Sequence, residues 1–142
     1  PLGLCTAWGP GIGTRHGRAV PNFMAQALKN DDVTIFGSGQ QTRSFCYISD
    51  LVRGILALMA STENEPVNIG NPHEMSIADM AHLIIKMTGS KSRVVFKALP
   101  VDDPQVRRPD ITRARTLLHW EPKVSLEEGL TSTIEYFRQK MA

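Results

Sequence analysis

Two short segments of this sequence place arginine where it could bind an anion. Arg43 enters a predicted strand after a glycine-rich turn at residues 37–39, and Arg108 directly precedes a predicted helix that begins near Asp110. A guanidinium group held on a rigid element presents a fork of N–H donors that matches the oxygens of a phosphate. Each arginine taken alone is more often a solvated charge. The pattern therefore indicates a phosphate site only if the two segments fold together.

Three other patterns offer chemistry but are better explained as structure. The glycine-rich run at residues 9–13 lacks the Lys-Ser/Thr pair of a phosphate loop, so we interpret it as an ordinary loop. Tyr136 and Lys140 are four residues apart, so on a helix they share one face. A lysine placed in this way could lower the pKa of a tyrosine that acts as a general base. They lie near the chain end, so we interpret them as an aromatic anchor and a solvated lysine. The four histidines are scattered. We assign no catalytic, cofactor-binding or metal-binding residue to this chain.

The composition favours one globular domain and excludes several partners. Of 142 residues, 42% are hydrophobic and 21% are charged, which suits a chain with a real core. The net charge of +2 is too balanced to indicate nucleic acid or an anionic membrane surface. No apolar run approaches the roughly 20 residues of a membrane span. Cys5 and Cys46 show no metal-binding spacing, so we expect both to be reduced in a cytosol-like compartment.

Helical and strand patterns alternate along the chain, which predicts an α/β fold. We predict helices at residues 19–29, 50–60, 76–88 and 110–118 and from 125 onward, and strands at 33–36, 43–48, 67–70 and 94–96. Ser49 or Asp50, Ser76 and Ser125 are the expected helix caps. No predicted strand leads into a Gly-x-Gly-x-x-Gly turn followed by an acidic residue, so a complete dinucleotide-binding unit is missing.

The predicted helix at residues 50–60 is apolar nearly all the way round. This distribution predicts a helix buried on more than one side. If its partner is missing, the helix exposes an apolar patch, and such patches promote self-association. We therefore expect a homodimer or a larger assembly.

Several ordered runs carry a family resemblance, namely residues 17–23, 42–51, 66–72, 102–104, 108–111 and 120–123. Together they resemble the nucleotide-sugar epimerase/dehydratase/decarboxylase group of the extended short-chain dehydrogenases/reductases, and within it the UDP-glucuronate decarboxylases. The resemblance covers about residues 4–140. It implies a Rossmann domain that binds NAD and a smaller C-terminal domain that binds the UDP-sugar. Residues 1–142 would be that substrate-binding domain with connecting Rossmann-edge elements, and the NAD-binding domain would be missing.

The resemblance also implies a reaction and a set of binding residues. NAD would oxidise the sugar at C4, the keto acid would lose CO₂, and NADH would return the hydride to give UDP-xylose. Asn22 would contact the diphosphate. The uracil would lie against Val33, Ile35, Phe36 and Gly37. Arg43 and Arg108 would bind phosphate or ribose, and the further candidates near the nucleotide or sugar are Tyr47 and Arg18.

Departures from the family pattern keep alternatives open. Thr6 stands where an asparagine usually meets the substrate, and Gly11 stands where the decarboxylases usually carry arginine. The catalytic tyrosine and lysine of the family would lie before Pro1, so we expect the isolated chain to be inactive. The alternatives are an NAD-dependent epimerase or dehydratase for another nucleotide sugar, and a non-enzymatic module with the same fold. We expect a cytoplasmic protein, or alternatively one held in the Golgi lumen by an anchor outside this segment.

Overall fold

A computed structural model describes residues 6–11, 18–98 and 108–142 of the chain. The predicted α/β class is confirmed, because strands and helices alternate in sequence. The first elements are β1 (Thr6–Trp8), α1 (Ala19–Lys29), β2 (Val33–Phe36), β3 (Thr42–Tyr47) and α2 (Ile48–Met59). They are followed by β4 (Glu74–Ser76), α3 (Ile77–Thr88), β5 (Val94–Lys97), α4 (Thr112–Leu118) and α5 (Leu126–Met141).

The described strands form two small sheets. In one sheet β3 lies between β1, which runs parallel to it, and β4, which runs antiparallel. In the other sheet β2 and β5 are parallel. The strand predicted at residues 67–70 is wrong, since that segment contributes one isolated bridge at Ile69. Val67 and Ile69 are both buried, so the alternating pattern reflects packing of an irregular segment rather than a sheet ladder.

Local capping signals fix several helix ends. Ser76 Oγ accepts a hydrogen bond from the Asp79 N–H at 3.0 Å, and Ser125 Oγ accepts one from the Glu128 N–H at 3.2 Å. Gly89 ends α3 in the left-handed region with φ 68°, where glycine carries no Cβ penalty. The caps at Ser76 and Ser125 are confirmed where the sequence predicted them.

The start of α2 differs from the prediction. Its cap position is Tyr47, and no side chain caps the helix. The proposed cap at Ser49 or Asp50 is therefore wrong. Asp50 lies inside the first turn and is buried, and its carboxylate accepts hydrogen bonds from a distant segment.

The two sides of α2 have different environments. Asp50, Leu51 and Gly54 are buried, whereas three apolar residues four and three positions apart are exposed: Val52 (46%), Leu56 (57%) and Met59 (76%). We call these three side chains the α2 stripe. Burial of this helix on more than one side is thus wrong for the described chain, and the expected exposed apolar patch is present.

The core consists of two hydrophobic clusters on opposite faces of β3. Phe45 belongs to the first cluster, which is built largely from α1, α3 and α5. Cys46 belongs to the second, which includes Ile111, Ala114 and Trp120. Successive strand residues point to opposite faces, so one strand can serve both clusters. Among the described helices, none combines the length and apolar character needed to cross a membrane.

Candidate nucleotide-sugar site

The turn between β2 and β3 is held rigidly. Gly37 and Gly39 have φ of 77° and 76°, which a residue with a Cβ rarely adopts. The carbonyl of Gly39 accepts the Ala78 N–H at 3.0 Å, and the carbonyl of Gln41 accepts the Ile77 N–H at 3.1 Å. The start of α3 therefore fixes the turn that leads from β2 to Arg43.

The residues of strand β2 that were predicted to line the base differ in side-chain exposure. Val33 and Ile35 are both 0% exposed and belong to the first core cluster. Phe36 is 46% exposed, because alternation turns its side chain to the other face of the strand. A ligand at this strand would thus meet the Phe36 ring and the main chain rather than the side chains of Val33 and Ile35.

One edge of β2 is oriented away from its sheet partner. The N–H groups of Val33 and Gly37 donate at 2.8 Å to the carbonyls of Arg93, just before β5, and Lys97, at its end. In a parallel pair the alternate residues point to the other edge, and there the Thr34 N–H donates to the Gln26 side chain at 3.0 Å. The Phe36 carbonyl lies on this same edge, where it accepts Gln41 Nε2 at 2.8 Å. The main-chain N–H of Phe36 therefore faces away from β5.

Arg43 lies within β3 and is 9% exposed. Its Nη1 donates to the Thr42 carbonyl at 2.7 Å, and its Cα pairs with that of Met75 in β4. A guanidinium group at this depth is held in place by the protein around it, which suits a binding residue with a fixed orientation.

Arg18 and Asn22 lie at the start of α1. Arg18 is exposed and extended, and its carbonyl accepts the Asn22 N–H at 3.2 Å. Tyr47, at the end of β3, is partly buried and contacts the ring of Trp8 edge-on, with 5.2 Å between the ring centroids. Arg18 and Asn22 therefore lie one helical turn apart at the start of α1. Tyr47 makes an aromatic contact with Trp8 instead.

A cavity of about 320 Å³ surrounds Arg108, and its lining is formed by Pro72, Arg108, Pro109, Asp110, Ile111, Thr112 and Arg115. Asp110 Oδ1 accepts the N–H of Thr112 at 2.9 Å and its hydroxyl at 2.7 Å. The side-chain and main-chain hydrogen bonds from Thr112, followed by the charge of Arg108, lower the pKa of Asp110.

Arg115 was not among the residues predicted from sequence. It follows Thr112 by three positions on α4, so both side chains lie on one side of that helix. Helical spacing could have identified it once the start of α4 was known.

The two arginine segments are connected through β4. Pro72, which lines the Arg108 cavity, lies three residues before Met75, the strand partner of Arg43. Three residues of chain and one strand pairing together span at most roughly 16 Å. Arg43 itself does not line the cavity among the residues that the structure describes. The shared role of Arg43 and Arg108 in binding one ligand therefore stays a prediction.

The pair at the end of α5 makes a direct contact. Lys140 Nζ donates to the Tyr136 hydroxyl at 3.0 Å and lies 5.4 Å from the ring centroid. Tyr136 packs against the first core cluster, whereas Lys140 is exposed. This arrangement agrees with an aromatic anchor beside a solvated lysine.

Comparison with known proteins shows which proteins the chain is similar to. Residues 2–70 match the model of the NAD dependent epimerase/dehydratase family. The chain is 51% identical to UDP-glucuronic acid decarboxylase 1 of Xenopus tropicalis over 97% of its own length. It is 42% identical to UDP-glucuronic acid decarboxylase 2 of Arabidopsis thaliana, again over 97%. The chain is therefore similar to UDP-glucuronic acid decarboxylases over nearly its whole length, and residues 2–70 resemble the NAD dependent epimerase/dehydratase family.

Solved structures of the epimerase/dehydratase family show the same fold. A UDP-glucose 4-epimerase from Thermotoga maritima, solved with UDP-glucose, matches 99% of the chain with a TM-score of 0.95 and 34% identity. A UDP-glucuronic acid 4-epimerase from Bacillus cereus, solved with UDP-glucuronic acid and NAD, matches 98% with a TM-score of 0.91 and 33% identity. The chain spans 46% and 45% of these two structures, and 33% and 31% of the two decarboxylases.

Proposed function

We propose that this chain forms the UDP-sugar-binding part of an NAD-dependent UDP-glucuronate decarboxylase. The complete enzyme would convert UDP-glucuronate to UDP-xylose and CO₂. The observation that carries the proposal is the 51% identity to a UDP-glucuronic acid decarboxylase over 97% of the chain. Neighbours of the same fold that were solved with UDP-glucose and UDP-glucuronic acid support the ligand class.

The geometry at β2 supports a site for the base. The main-chain N–H of Phe36 faces away from β5, and its carbonyl, which accepts Gln41 Nε2 and has a second lone pair, lies at the same edge. A uracil ring has both an N–H donor and carbonyl acceptors, so it is complementary to such an edge. The exposed Phe36 ring adds apolar contact area. The diphosphate would then extend toward Asn22, Arg43 and Arg108.

The described residues do not fit NAD. Strand β1 leads into Gly9 and Gly11, but α1 begins only at Ala19, whereas a dinucleotide-binding turn opens directly into a helix. NAD would supply the oxidation of the sugar and the return of the hydride in the complete enzyme. We assign to this chain the binding and orientation of the nucleotide sugar, and no step of the redox chemistry.

Calorimetric titration of the purified chain tests the proposal. UDP-glucuronate should bind more tightly than UDP-glucose, and both should bind more tightly than dTDP-glucose. A site that hydrogen-bonds a particular group rejects analogues without that group. Absence of binding by any UDP-sugar would contradict the proposal. Formation of UDP-xylose by this chain with added NAD would contradict the assignment of catalysis to other polypeptide.

A second candidate is an NAD-dependent epimerase or dehydratase for a different nucleotide sugar. It is favoured by Thr6 and Gly11, which depart from the decarboxylase pattern, and by the epimerases among the solved neighbours. The same titration separates the two candidates, because this one predicts tighter binding of UDP-glucose or dTDP-glucose than of UDP-glucuronate.

We also propose that the chain self-associates through the α2 stripe, whose exposed apolar side chains support an interface. A cytoplasmic location is our preferred assignment, in keeping with the buried thiol of Cys46. A Golgi-lumenal enzyme anchored through another segment is the alternative, and cell fractionation distinguishes them.

A further inference from the structure

The position of Arg115 at the Arg108 cavity is fixed by packing on the other side of α4. Ile111 and Ala114 are 2% and 0% exposed and belong to the second core cluster. Asn68 Nδ2 also donates to the Asp110 carbonyl at 3.1 Å, just before the helix. Because these contacts orient α4, they fix the backbone position from which Arg115 extends. Arg115 lines the cavity beside Arg108.

The guanidinium of Arg115 makes only a weak ion pair. Its Nε lies 3.6 Å from a Glu121 carboxylate oxygen, and the two side chains are 54% and 59% exposed. An ion pair of this length between exposed side chains contributes little stability. A stronger anion can therefore replace Glu121 as the partner of Arg115 without a large free-energy cost.

The charges that line the cavity favour an anionic ligand. Arg108 and Arg115 line the cavity together with one carboxylate, that of Asp110, whereas Glu121 does not line it. That carboxylate already accepts two hydrogen bonds from Thr112. Two guanidinium groups thus remain to neutralise an incoming group of high charge density.

We propose that Arg115 is a second guanidinium that binds the diphosphate of the nucleotide sugar. The proposal rests on the proposed function, because it concerns the same ligand. A diphosphate carries more charge than a sugar carboxylate and can accept two N–H forks at once. The cavity volume of about 320 Å³ is at the low end of ligand pockets, so it suits one part of a nucleotide sugar rather than the whole molecule.

Binding of UDP and of uridine to variants of the chain tests this role. Arg115→Ala should weaken UDP about five- to tenfold and leave uridine unchanged, since a partly exposed charge-assisted hydrogen bond is lost. Arg115→Lys should be intermediate, because it keeps the charge without the fork. The matched control is Arg113→Ala on the same helix. Arg113 pairs with Glu63 at 3.1 Å and does not line the cavity, so its loss should change UDP affinity less than twofold.

A second variant tests the exchange of partners. Glu121→Ala releases Arg115 and should strengthen UDP binding about twofold. Wild-type UDP affinity in Arg115→Ala would overturn the proposal, as would an equal loss in Arg113→Ala or a loss confined to UDP-glucuronate. If the unmodified chain binds UDP but Arg115→Ala binds it equally well, only the role of Arg115 fails. If the unmodified chain binds no UDP-sugar, the proposed function fails with it.

Discussion

Trp120 donates its indole N–H to the main-chain carbonyl of Asp50 at 3.0 Å, which joins two parts of the chain 70 residues apart. The carboxylate of Asp50 accepts the N–H groups of Lys123 and Val124, both at 2.9 Å. Arg53 completes the contact with a 2.7 Å bond to the same carboxylate. The first turn of α2 thereby holds the segment between α4 and α5, and through it the helix that carries Arg115.

Removal of the Asp50 carboxylate should strongly destabilise the fold. Asp50→Ala leaves two main-chain N–H groups without their acceptor and removes one of the two bonds that Arg53 Nη2 donates, so we expect a loss of about 3 kcal/mol in the free energy of unfolding. Urea denaturation measures it. The control is Asp31→Ala at an exposed aspartate, for which a change within about 0.5 kcal/mol is expected. Equal losses in both variants would show that the buried contact is not the cause.

Gly129 in α5 leaves room for two aromatic rings. A Cβ at this position would lie 2.7 Å from a ring carbon of Trp8 and 2.7 Å from one of Tyr47. Although alanine favours a helix, Gly129→Ala should lower the free energy of unfolding by about 1–3 kcal/mol because of overpacking. Ser132→Ala, at an exposed position of the same helix, should be neutral or slightly stabilising. Thermal unfolding compares them, and a stabilised Gly129→Ala would contradict the prediction.

Signals contained within a few residues were predicted well, and long-range ones were not. The caps at Ser76 and Ser125 need only the residue three positions later, and both are confirmed. Strand β4 was missed because it is three residues long and forms only by pairing with β3, about 32 residues earlier. Asp50 resembled a cap because its type and position suited one, but its Oδ2 accepts N–H groups more than 70 positions away and its Oδ1 accepts the side chain of Arg53.

The same distinction holds for the candidate site. The sequence suggested Arg43 and Arg108 by residue type and neighbouring turns, and their binding role stays a prediction. The family resemblance is confirmed by comparison. The sequence did not show that Val33 and Ile35 are buried while Phe36 is exposed. A four-residue apolar run does not reveal which face of the strand meets the core. The place of Arg115 in the cavity lining could not be predicted, because the cavity forms only when α4 lies near Pro72.

The pKa of Asp110 should depend on Thr112. Hydrogen bonds from Thr112 lower this pKa below the ordinary value of 3.8, so the carboxylate stabilises the fold above that value and loses its contribution as the pH falls through the lowered pKa. Thr112→Ala removes the hydroxyl bond and should raise the pKa toward 3.8. NMR titration of the carboxyl carbon measures it. Thr116→Ala, whose hydroxyl bonds to the Thr112 carbonyl instead, should leave the pKa unchanged.

Phe36 and Phe96 provide a matched pair for testing the base site. Phe96 pairs with Ile35 across the sheet, so it lies on the face opposite to Phe36. Both rings are about half exposed, at 46% and 58%. Phe36→Ala should weaken UDP binding about tenfold through lost ring contact with the base, whereas Phe96→Ala should not. Fluorescence competition with UDP measures both. A larger loss in Phe96→Ala would move the base to the other face of the sheet.

Self-association should depend on the α2 stripe. Leu56 lies at its centre and is 57% exposed, so Leu56→Lys places a charge in the middle of any apolar interface there. Because the side chain is exposed in the single chain, the substitution should cost little stability in the monomer. Sedimentation velocity should show the unmodified chain as a dimer or larger species and Leu56→Lys as a monomer. Phe96→Lys, at an equally exposed apolar residue on β5, should keep the assembly. A monomeric unmodified chain at high concentration would exclude an interface at this helix.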